Sequence, residues 1–519
     1  MNASFLRAAL CLGLSGCMLG PDFTPPAPPA AANFQHAGAF TTEQTNPDPN
    51  WWNGFDDPVL TQIMQTAIAG NISLQQAVLR VEQAHENVVQ TRAEGLPSIN
   101  AGASFMREQE GIKGIAESSG AYDQLDQVAA QANAALPGSG PAVTNAVNSA
   151  LDKLGQPVNF WQYQLSSSWE LDLFGRVRRS VEAARANENA SLEAARDSLV
   201  MLESQVAQAY FQLRAAQAAL ARQQQSVASA QDELDLTINR ADHGLVPQSD
   251  VDQARTVFLS AQGQLPGYEK QVQQYLTQID TLAGRPPGAL DAMLTTPAAL
   301  PVPPAMIATG VPSTLVRRRP DIREAEDQLH QATAQIGVAI ASFFPDISLT
   351  GSVGFHALDA SYLTNWASLF YSFGPSISLP IFQGGRLVSN LRLARLSQQN
   401  AALQYRATVL NALAEVENAL VACHADQQAY ADALATAQTA EDTLVLAQSR
   451  YAQGLTSFLP VLDAERTAFS AQQQQIQAQS QLDIDTAALY TALGGGWQET
   501  QQPVGPAAAA PPAPAPSTG

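Results

Sequence analysis

The chain has little cysteine, little charge and no long apolar run beyond its first residues. Two of its three cysteines, Cys11 and Cys17, lie in the first 20 residues, and Cys423 stands alone far along the chain. This arrangement cannot form a disulfide framework. Charged residues make up 14% of the chain, against about 25% in an ordinary globular protein. Beyond residue 20 there is no run of about 18 apolar residues, so no transmembrane helix is predicted there.

Positive charge is scarce as well. The chain contains 27 Lys and Arg residues and 47 Asp and Glu residues, so its formal net charge is −20. A nucleic-acid footprint needs clustered Lys and Arg side chains, so nucleic acid is not a predicted partner. Signatures of catalysis are missing too: the six histidines show no metal-ligand spacing, and there is no P-loop or nucleophile elbow. We predict no enzyme activity, no metal and no cofactor.

The first residues predict export from the cytoplasm. Arg7, the apolar stretch 8–14 and the small residues before Cys17 follow the pattern of a secretory signal. Residues 14–17, Leu-Ser-Gly-Cys, also resemble a bacterial lipobox. We therefore predict a lipoprotein signal peptide over 1–16 and lipidation of Cys17, whose acyl chains would anchor the mature end in a membrane.

Both ends of the remaining chain are rich in Pro and Ala. Residues 17–50 predict an extended tether, because such composition favours extended conformations. Residues 499–519 are expected to be a disordered tail.

Between these ends the chain carries an internal duplication. Gly175-Arg176 corresponds to Gly385-Arg386, and the segment 240–245 corresponds to 450–455, each at a separation of 210 residues (385 − 175 = 210). We divide the chain into repeat 1 over 51–283, a linker or equatorial region over 284–318, and repeat 2 over 319–498.

Each repeat contains two segments in which apolar and polar residues alternate. In 159–173, for example, Trp161, Tyr163 and Leu165 alternate with polar neighbours. A period of two is that of a strand with a different solvent on each face. The predicted strands cover about 97–108, 159–173, 345–357 and 369–382. Their length fits a bilayer crossing, although a half-buried sheet away from a membrane produces the same alternation.

Long helices are predicted for the rest of each repeat. Residues 176–239 and 386–449 contain few Gly or Pro residues, and a helix of that length measures about 96 Å at 1.5 Å per residue. Shorter helices are predicted over 71–94, 248–283, 319–342 and 459–493. Glycines at corresponding places predict tips, meaning turns between paired helices, at about 240–250 and 450–460.

The four strands of one chain are too few to close a sheet in a bilayer. Open strand edges in hydrocarbon cost several kcal/mol for each unpaired backbone group, and closed barrels need about eight strands or more. Two copies would supply eight strands (2 × 4) and three would supply twelve (3 × 4). An eight-stranded interior is filled by its own side chains, so a conduit favours three copies.

Several blocks resemble the outer membrane factor (TolC) family, and within it the NodT-type outer membrane efflux lipoproteins. The blocks are Trp51–Leu60, Arg317–Ile322, Phe382–Arg386, Arg450–Ala464 and Ala492–Trp497. The resemblance implies a mixed α and β fold in which a homotrimer forms a 12-stranded transmembrane β-barrel, four strands per chain, continuous with a long periplasmic α-helical barrel.

The resemblance also implies a function and a place. It implies a passive exit duct in the bacterial outer membrane, lipid-anchored at Cys17, with its helical barrel in the periplasm. The implied partners are a periplasmic adaptor (membrane fusion) protein, an inner-membrane RND-type transporter that supplies the energy, and outer membrane lipid. The exported compounds would be drugs or toxic small molecules.

Two groups of site residues follow from the same resemblance. Tyr451 and Asp463 match the family's periplasmic gate by their spacing, and Asp250 and Asp252 lie in the comparable part of repeat 1. Three copies would bring like charges together around an axis, where Arg or Tyr partners can hold them. Adaptor docking is implied at the two tips, at Arg240, Gly244, Leu245, Arg450, Gly454 and Leu455.

Two alternatives remain at this stage. One is an exit duct for type I protein secretion, and the other is a lipid-anchored coiled-coil structural lipoprotein without a pore. The connection 109–158 is much longer than its counterpart in repeat 2 and is expected to face the outside. His243, where repeat 2 has Gln453, is expected to be exposed and without a role, although an imidazole there would carry a pH-dependent charge.

Overall fold

The structure is a computed structural model of the 519-residue chain. It describes residues 18–27, 33–37, 41–42, 48–109, 111–296 and 298–497. The predicted signal peptide over 1–16, the lipidation site Cys17 and the tail 499–519 lie outside the described residues.

The four long strands and the long helices follow one another in the order that the sequence predicts, and shorter elements lie between them. The helices are α1 (Pro58–Gly70), α2 (Ile72–Ala93), α3 (Ile112–Ser118), α4 (Ala121–Ala135), α5 (Ser139–Leu154), α6 (Arg176–Asp242), α7 (Gln248–Leu282), α8 (Asp291–Leu294), α9 (Pro312–Arg318), α10 (Pro320–Ala341), α11 (Arg386–Ala452) and α12 (Leu459–Ala492). The strands are β1 (Thr41–Thr42), β2 (Ser98–Glu108), β3 (Val158–Glu170), β4 (Ile307–Ala308), β5 (Asp346–Ala357) and β6 (Leu369–Ser378).

The two longest helices, α6 and α11, are each 67 residues long. Each begins immediately after a glycine with a positive φ, 81° at Gly175 and 86° at Gly385. L side chains rarely adopt that conformation, so glycine permits the sharp turn from strand into helix at the same place in both repeats. Both helices continue three residues beyond their predicted ends, to Asp242 and Ala452.

The larger sheet is antiparallel, with strand order β2-β3-β5-β6. Its register aligns apolar residues across strands, as in Leu165 opposite Val353 and Trp169 opposite Leu349. On the other face, polar residues are aligned in the same way. The apolar face is exposed in the single chain: Phe373 is 80% exposed. One face therefore carries an apolar surface that the described residues leave exposed.

Aromatic rings reinforce the apolar face. Phe105 and Trp161 have ring centroids 4.3 Å apart, and Tyr163 stacks on Phe355 at 5.2 Å. Cross-strand aromatic pairs of this kind stabilise a sheet and fix its register.

Strand β6 is shorter than predicted and ends at Ser378 instead of 382. Pro380 follows shortly after this end, and proline cannot donate a ladder hydrogen bond. Pro375 is tolerated within β6 because this strand lies at the edge of the sheet.

The long connection 109–158 is mostly helical, which the sequence analysis did not predict. It contains α3, α4 and α5. Helix α4 is rich in Ala, which has the highest helix propensity. Gly120 and Gly138, both with positive φ, immediately precede α4 and α5 and separate these helices from what comes before.

The chain forms two compact units that do not coincide with the two repeats. In the described residues, the first unit comprises segments from 18–20, 89–181 and 337–391, and the second comprises segments from 21–88, 182–336 and 392–497. Each unit takes segments from both repeats. In the first unit the reason is strand pairing, since β3 of repeat 1 pairs with β5 of repeat 2.

The block that begins at Trp51 forms the centre of the second unit's core. Trp51 stacks on Tyr490 with ring centroids 5.3 Å apart, and Phe55 packs on Phe211 at 4.8 Å. Trp51, Phe55 and Phe211 are almost completely buried. The block therefore joins the start of the described helices to α6 and α12 through aromatic packing.

Asp57 connects this block to α6 by hydrogen bonds. Its Oδ1 accepts from the backbone N–H groups of Val59 and Leu60, at 2.8 and 3.2 Å, and so caps α1. Its Oδ2 accepts from the Tyr210 hydroxyl at 2.5 Å. Arg214 Nε donates to the same hydroxyl at 2.9 Å. Because Tyr210 and Arg214 are buried, loss of Asp57 would leave a buried donor unpaired.

Among the residues that the structure describes, no helix has both the length and the apolar character required to cross a membrane.

We predict that Asp57→Ala lowers stability by about 1–3 kcal/mol, because it removes a helix cap and the partner of a buried hydroxyl. Asp57→Asn is the matched control, since its side-chain oxygen can still cap α1, and should lose less. Heat denaturation in detergent, followed by circular dichroism, measures the difference. Equal midpoints for wild type and Asp57→Ala would contradict this account.

Candidate functional site

The first tip joins α6 to α7 by a tight turn. Gly244 has a φ of 72°, and its N–H donates to the carbonyl of Ala241 at 2.9 Å. The N–H of Leu245 donates to the carbonyl of Arg240 at 2.9 Å. These two bonds form a Schellman motif, which pairs carbonyl groups at the helix end. The space around Gly244 is open, so glycine is favoured here by backbone conformation and not by crowding.

The second tip, between α11 and α12, has the same geometry. Gly454 has a φ of 71° and donates to the carbonyl of Tyr451 at 2.9 Å. Leu455 donates to the carbonyl of Arg450 at 3.0 Å. The residues predicted for docking therefore form two equivalent turns.

Each turn leaves a leucine in solvent. A residue in the position of Leu245 and Leu455 often packs back onto its own helix, yet these side chains are 73% and 70% exposed. Each tip therefore carries one solvent-exposed leucine side chain on a hydrogen-bonded turn.

Tyr451, a predicted gate residue, lies in a small core near the tips. It is 6% exposed and packs with Leu234, Val251, Phe458 and Val461. Its ring centroid is 5.3 Å from that of Phe458. These contacts join all four helices that end at the tips.

Arg240, which the sequence analysis assigned to docking alone, also holds Tyr451. Its guanidinium carbon lies 4.3 Å from the centroid of the Tyr451 ring. Its nitrogens reach the carbonyl oxygens of Tyr451 and Ala452 at 3.5 Å. A cation at a helix C-terminus is favoured by the helix dipole, and a cation over an aromatic face is attracted by the ring. Arg240 thus links the end of α6 to the end of α11.

Asp463 faces a different environment from Tyr451. Its side chain is 68% exposed and its Oδ1 pairs with Arg466 Nη2 at 2.9 Å. It lines a groove of about 900 Å³ between α11 and α12, together with Arg450, Thr443 and Thr467. The chain therefore presents Asp463 outward, where a neighbouring molecule can meet it.

Asp250 lies in the first turn of α7 and Asp252 lies in the turn that follows. Ser249 Oγ donates to Asp250 Oδ1 at 3.3 Å, and Gln248 Nε2 donates to Asp252 Oδ1 at 3.4 Å. Each carboxylate is thus held by its own turn. The structure brings Arg240 to Tyr451 and places Arg450 beside Asp463 in one groove, but it groups neither Asp250 nor Asp252 with Asp463.

His243 is exposed at the first tip. Its Nδ1 lies 2.7 Å from the carbonyl oxygen of Asn239 on its own helix, a distance at which Nδ1–H donates to that oxygen. This contact is local and involves no other element.

A second polar cluster near the tips was missed by sequence reasoning. Glu233 of α6, Gln448 of α11 and Glu465 of α12 are all half-buried. Burial and the charge of Glu233 raise the pKa of Glu465. Burial also raises the pKa of Glu233. A charged residue within a helix normally predicts a solvated face, and nothing in the sequence pairs residues 232 positions apart (465 − 233 = 232).

Among the described residues, no group of three or more His, Cys, Asp and Glu residues could hold a metal ion. Cys423 is completely buried, and burial raises the pKa of its thiol to about 12. Its thiol therefore contributes to packing.

Comparison with known families identifies the fold. Residues 63–285 and 311–495 match the model of the "outer membrane efflux protein" family. The chain belongs to this family. The resemblance recognised from the sequence blocks is therefore confirmed.

Similar proteins support the same conclusion over almost the whole length. The chain is 32% identical over 499 residues to outer membrane protein OprJ of Pseudomonas aeruginosa, covering 96% of each chain. It is 31% identical over 505 residues to the toluene efflux pump outer membrane protein TtgC of Pseudomonas putida, covering 96% of this chain and 97% of the relative. Among solved structures, the outer-membrane channel OprN has 30% identity and a TM-score of 0.78, covering 93% of this chain and 100% of that one.

These relationships decide between the functional classes. The chain is an outer membrane efflux protein with a mixed helical and sheet fold of the outer membrane channel type, as predicted. Its function as an outer membrane exit duct of an efflux system is confirmed. A structural lipoprotein without a pore does not fit these relatives. The family is one of efflux ducts and is not known for enzymes.

The link between Arg240 and Tyr451 can be tested at the second tip. We predict that Arg240→Ala speeds amide hydrogen exchange at residues 450–456 by about tenfold, because the end of α11 loses its connection to α6. Arg450→Ala is the matched control, since it is the equivalent arginine of the duplication but is exposed. Mass-spectrometric exchange measures both. Equal acceleration in the two variants would mean that Arg240 has no particular role.

Proposed function

We propose that three copies of this outer membrane efflux protein form one duct that carries drugs or toxic small molecules out of the cell. The observation that carries the proposal is the four-stranded sheet. Within the described residues, β2 pairs with β3 alone and β6 with β5 alone, so each sheet has two open edges. Three sheets joined edge to edge form a closed barrel of twelve strands, which leaves no edge in the membrane.

The two faces of the sheet suit such a barrel. The exposed apolar face, which includes Tyr371 and Phe373, would contact lipid. The face with Ser166, Ser168 and their partners Ser352 and Thr350 would line a wet interior. Strands of 10 to 13 residues are long enough to cross a bilayer when tilted.

The mature N-terminus would be lipid-anchored at Cys17. The lipobox-like residues support this part of the proposal. The anchor would add outer membrane lipid to the partners of the protein.

The tips would dock a periplasmic adaptor protein, which connects the duct to an inner-membrane transporter of the RND type. Leu245 and Leu455 support this role because both are bare apolar side chains on rigid turns. Exposed apolar residues in equivalent positions are typical of a protein-binding surface. The predicted docking residues Arg240, Gly244, Arg450 and Gly454 would act by shaping and holding these turns.

Leu245→Asp and Leu455→Asp should each weaken adaptor binding by about tenfold or more, because burial of a leucine contributes about 1.5–3 kcal/mol. Binding of the purified duct to the adaptor of its own efflux system can be measured by biolayer interferometry. His243→Gln, which introduces the residue of the other tip, is the control and should bind as wild type. Wild-type binding by both Leu variants would contradict docking at the tips.

The periplasmic end would be gated by Asp463, with Tyr451 as the buried anchor of the same hairpin. In a trimer Asp463 occurs three times, and its exposure in the groove lined by Arg450 leaves it free to meet a neighbour. Asp250 and Asp252 would contribute further acidic rings at the first tip. Passage through such a gate requires no energy from the duct itself.

Single-channel conductance in a planar bilayer tests the duct and the gate together. Asp463→Ala should raise the open probability by at least about threefold, since one lost interaction of about 0.7 kcal/mol changes an equilibrium by that factor. Asp442→Ala, on an exposed part of α11, is the control. Equal openings in all forms would remove Asp463 from the gate. If folded trimers of every form showed no channel conductance, the proposal that the protein is a duct would be contradicted.

A further inference from the structure

The face of the sheet that would line the duct changes character towards one end. Four large side chains lie there, one from each long strand: Met106 of β2, Phe160 of β3, His356 of β5 and Phe370 of β6. We call these four residues the aromatic band. Along the rest of this face the side chains are small or carry amides, as at Gln162, Gln164, Ser166, Ser352 and Ser372.

Strand register assigns all four residues of the band to this one face. Met106 lies directly opposite Phe160. His356 lies opposite the residue two positions beyond Phe160, and Phe370 lies opposite the residue two positions before His356. Residues opposite each other on neighbouring strands share a face, and so do residues two apart on one strand. The band therefore crosses the whole width of the sheet.

The rings of the band are in contact. The His356 ring lies between two phenylalanines, with its centroid 5.6 Å from that of Phe160 and 4.9 Å from that of Phe370. The interplanar angles are 32° and 25°. His356 is exposed, the two phenylalanines are half-buried, and Met106 is 55% exposed. In the single chain the band therefore presents ring surface to solvent.

The aromatic residues on the opposite face have a separate explanation. Phe105, Trp161 and Tyr163 belong to the apolar face, which would contact lipid. Aromatic girdles at the membrane interfaces are typical of the outer surface of a membrane barrel, whereas the interior is polar. Contact with lipid therefore does not account for a row of rings on the interior face.

The band lies at the end of the sheet that is remote from the long helices. At this end, residues 109–157 connect β2 to β3 and residues 358–368 connect β5 to β6, whereas β3 and β6 lead into α6 and α11 from the other end. The helical barrel of this outer membrane channel lies in the periplasm. The band is therefore at the outer end of the sheet, where an exported compound would leave the duct.

Three copies would arrange three bands in one ring of twelve side chains (3 × 4). Twelve strands about 4.8 Å apart and tilted by about 40° form a barrel with a radius of about 12 Å. Side chains on opposite walls do not meet across an opening of that width. The ring therefore lines the exit without closing it.

Ring surface in a wet passage favours one class of solute. A flat aromatic compound can stack on phenylalanine and imidazole rings and removes apolar surface from water when it does so. A hydrated ion or a non-planar solute has no flat face to stack. Export also requires that binding be weak enough for release, and three equivalent bands let a compound move from one to the next.

We propose that Met106, Phe160, His356 and Phe370 form a stacking surface at the outer exit of the duct, and that this surface favours flat, ring-bearing compounds. The four residues are specificity-determining residues for export. The inference rests on the proposed closure of three sheets into one duct. It adds the chemical class of compound that the exit retains.

The experiment is single-channel recording of the full-length protein in a planar bilayer, with a probe added on the side opposite the helical barrel. Ethidium is a flat aromatic cation, and tetrabutylammonium is a non-planar cation of the same charge. The combined variant Phe160→Leu/Phe370→Leu should shorten the mean ethidium block about tenfold, because stacking on two rings is lost. The tetrabutylammonium block should change less than about twofold, because leucine keeps an apolar surface of similar size.

Tyr371→Leu is the matched control. Tyr371 follows Phe370 in β6 and is 71% exposed on the opposite face, so this change removes a ring at the same level without altering the band. Its ethidium block should equal that of wild type. Phe370→Tyr keeps a ring in the band and should keep the long block as well. If the combined variant does not assemble, Phe160→Leu and Phe370→Leu are used singly, each with an expected shortening of about threefold.

Three results would overturn the proposal. The first is an ethidium block that is absent in wild type or equally long in wild type and the combined variant. The second is equal shortening for both probes, which would make the band a plain apolar lining. The third is equal shortening in Tyr371→Leu. The proposed function fails separately, since folded protein that conducts in no form contradicts the duct and its exit together, whereas conductance with an unchanged ethidium block contradicts only the stacking surface.

Discussion

The organisation of the molecule depends on where the backbone hydrogen bonds of one small sheet are satisfied. Strands β3 and β5 are paired on both sides, whereas β2 and β6 each have one paired side within the described chain. Water can satisfy such an edge, but hydrocarbon cannot. If the apolar face of the sheet contacts lipid, as its exposed aromatic and aliphatic side chains indicate, its edges must pair with other copies. The proposed assembly of several copies around a shared lumen follows from that requirement.

The duplication explains much of the remaining structure. Where the two repeats differ in sequence, the contacts of corresponding residues at the tips differ as well. The tip turns of the two repeats have almost the same φ values and hydrogen bonds, so both present a leucine in the same way. The arginines of these turns differ in their contacts. Arg240 lies over Tyr451, but the residue that corresponds to Tyr451 in repeat 1 is Ala241 (451 − 210 = 241). Arg450 therefore has no equivalent ring in the other tip, and it lines the groove that holds Asp463.

Patterns with a local physical cause could be predicted from the sequence. Strand alternation placed β2 and β5 within a residue or two of their observed bounds, because one apolar face imposes a period of two. The turns at Gly244 and Gly454 were predictable because a positive φ favours glycine. The helices of 109–158 were missed because a Gly- and Ser-rich composition hid the Ala-rich stretch of α4.

Contacts between distant residues could not be predicted in this way. Two examples are the effect of Glu233 on Glu465 and the contact of the Arg240 guanidinium with the Tyr451 ring. Both depend on how the helices pack, and no local sequence pattern encodes that packing. The tip core around Tyr451 shows the same limit, since its members come from α6, α7, α11 and α12. The resemblance to a family supplied the gate positions, but the burial of Tyr451 and the exposure of Asp463 came from the structure.

Closure by edge pairing between copies is the central claim, and cysteine cross-linking of the two outer strands tests it most directly. In a Cys423→Ala background, single cysteines introduced along β2 and along β6 are combined in pairs, oxidised in outer membranes, and separated under denaturing conditions. Closure by three copies predicts covalent dimers and trimers, with no larger species, for the pairs in register. Cross-links within one chain only, or a ladder that continues beyond three copies, would contradict it.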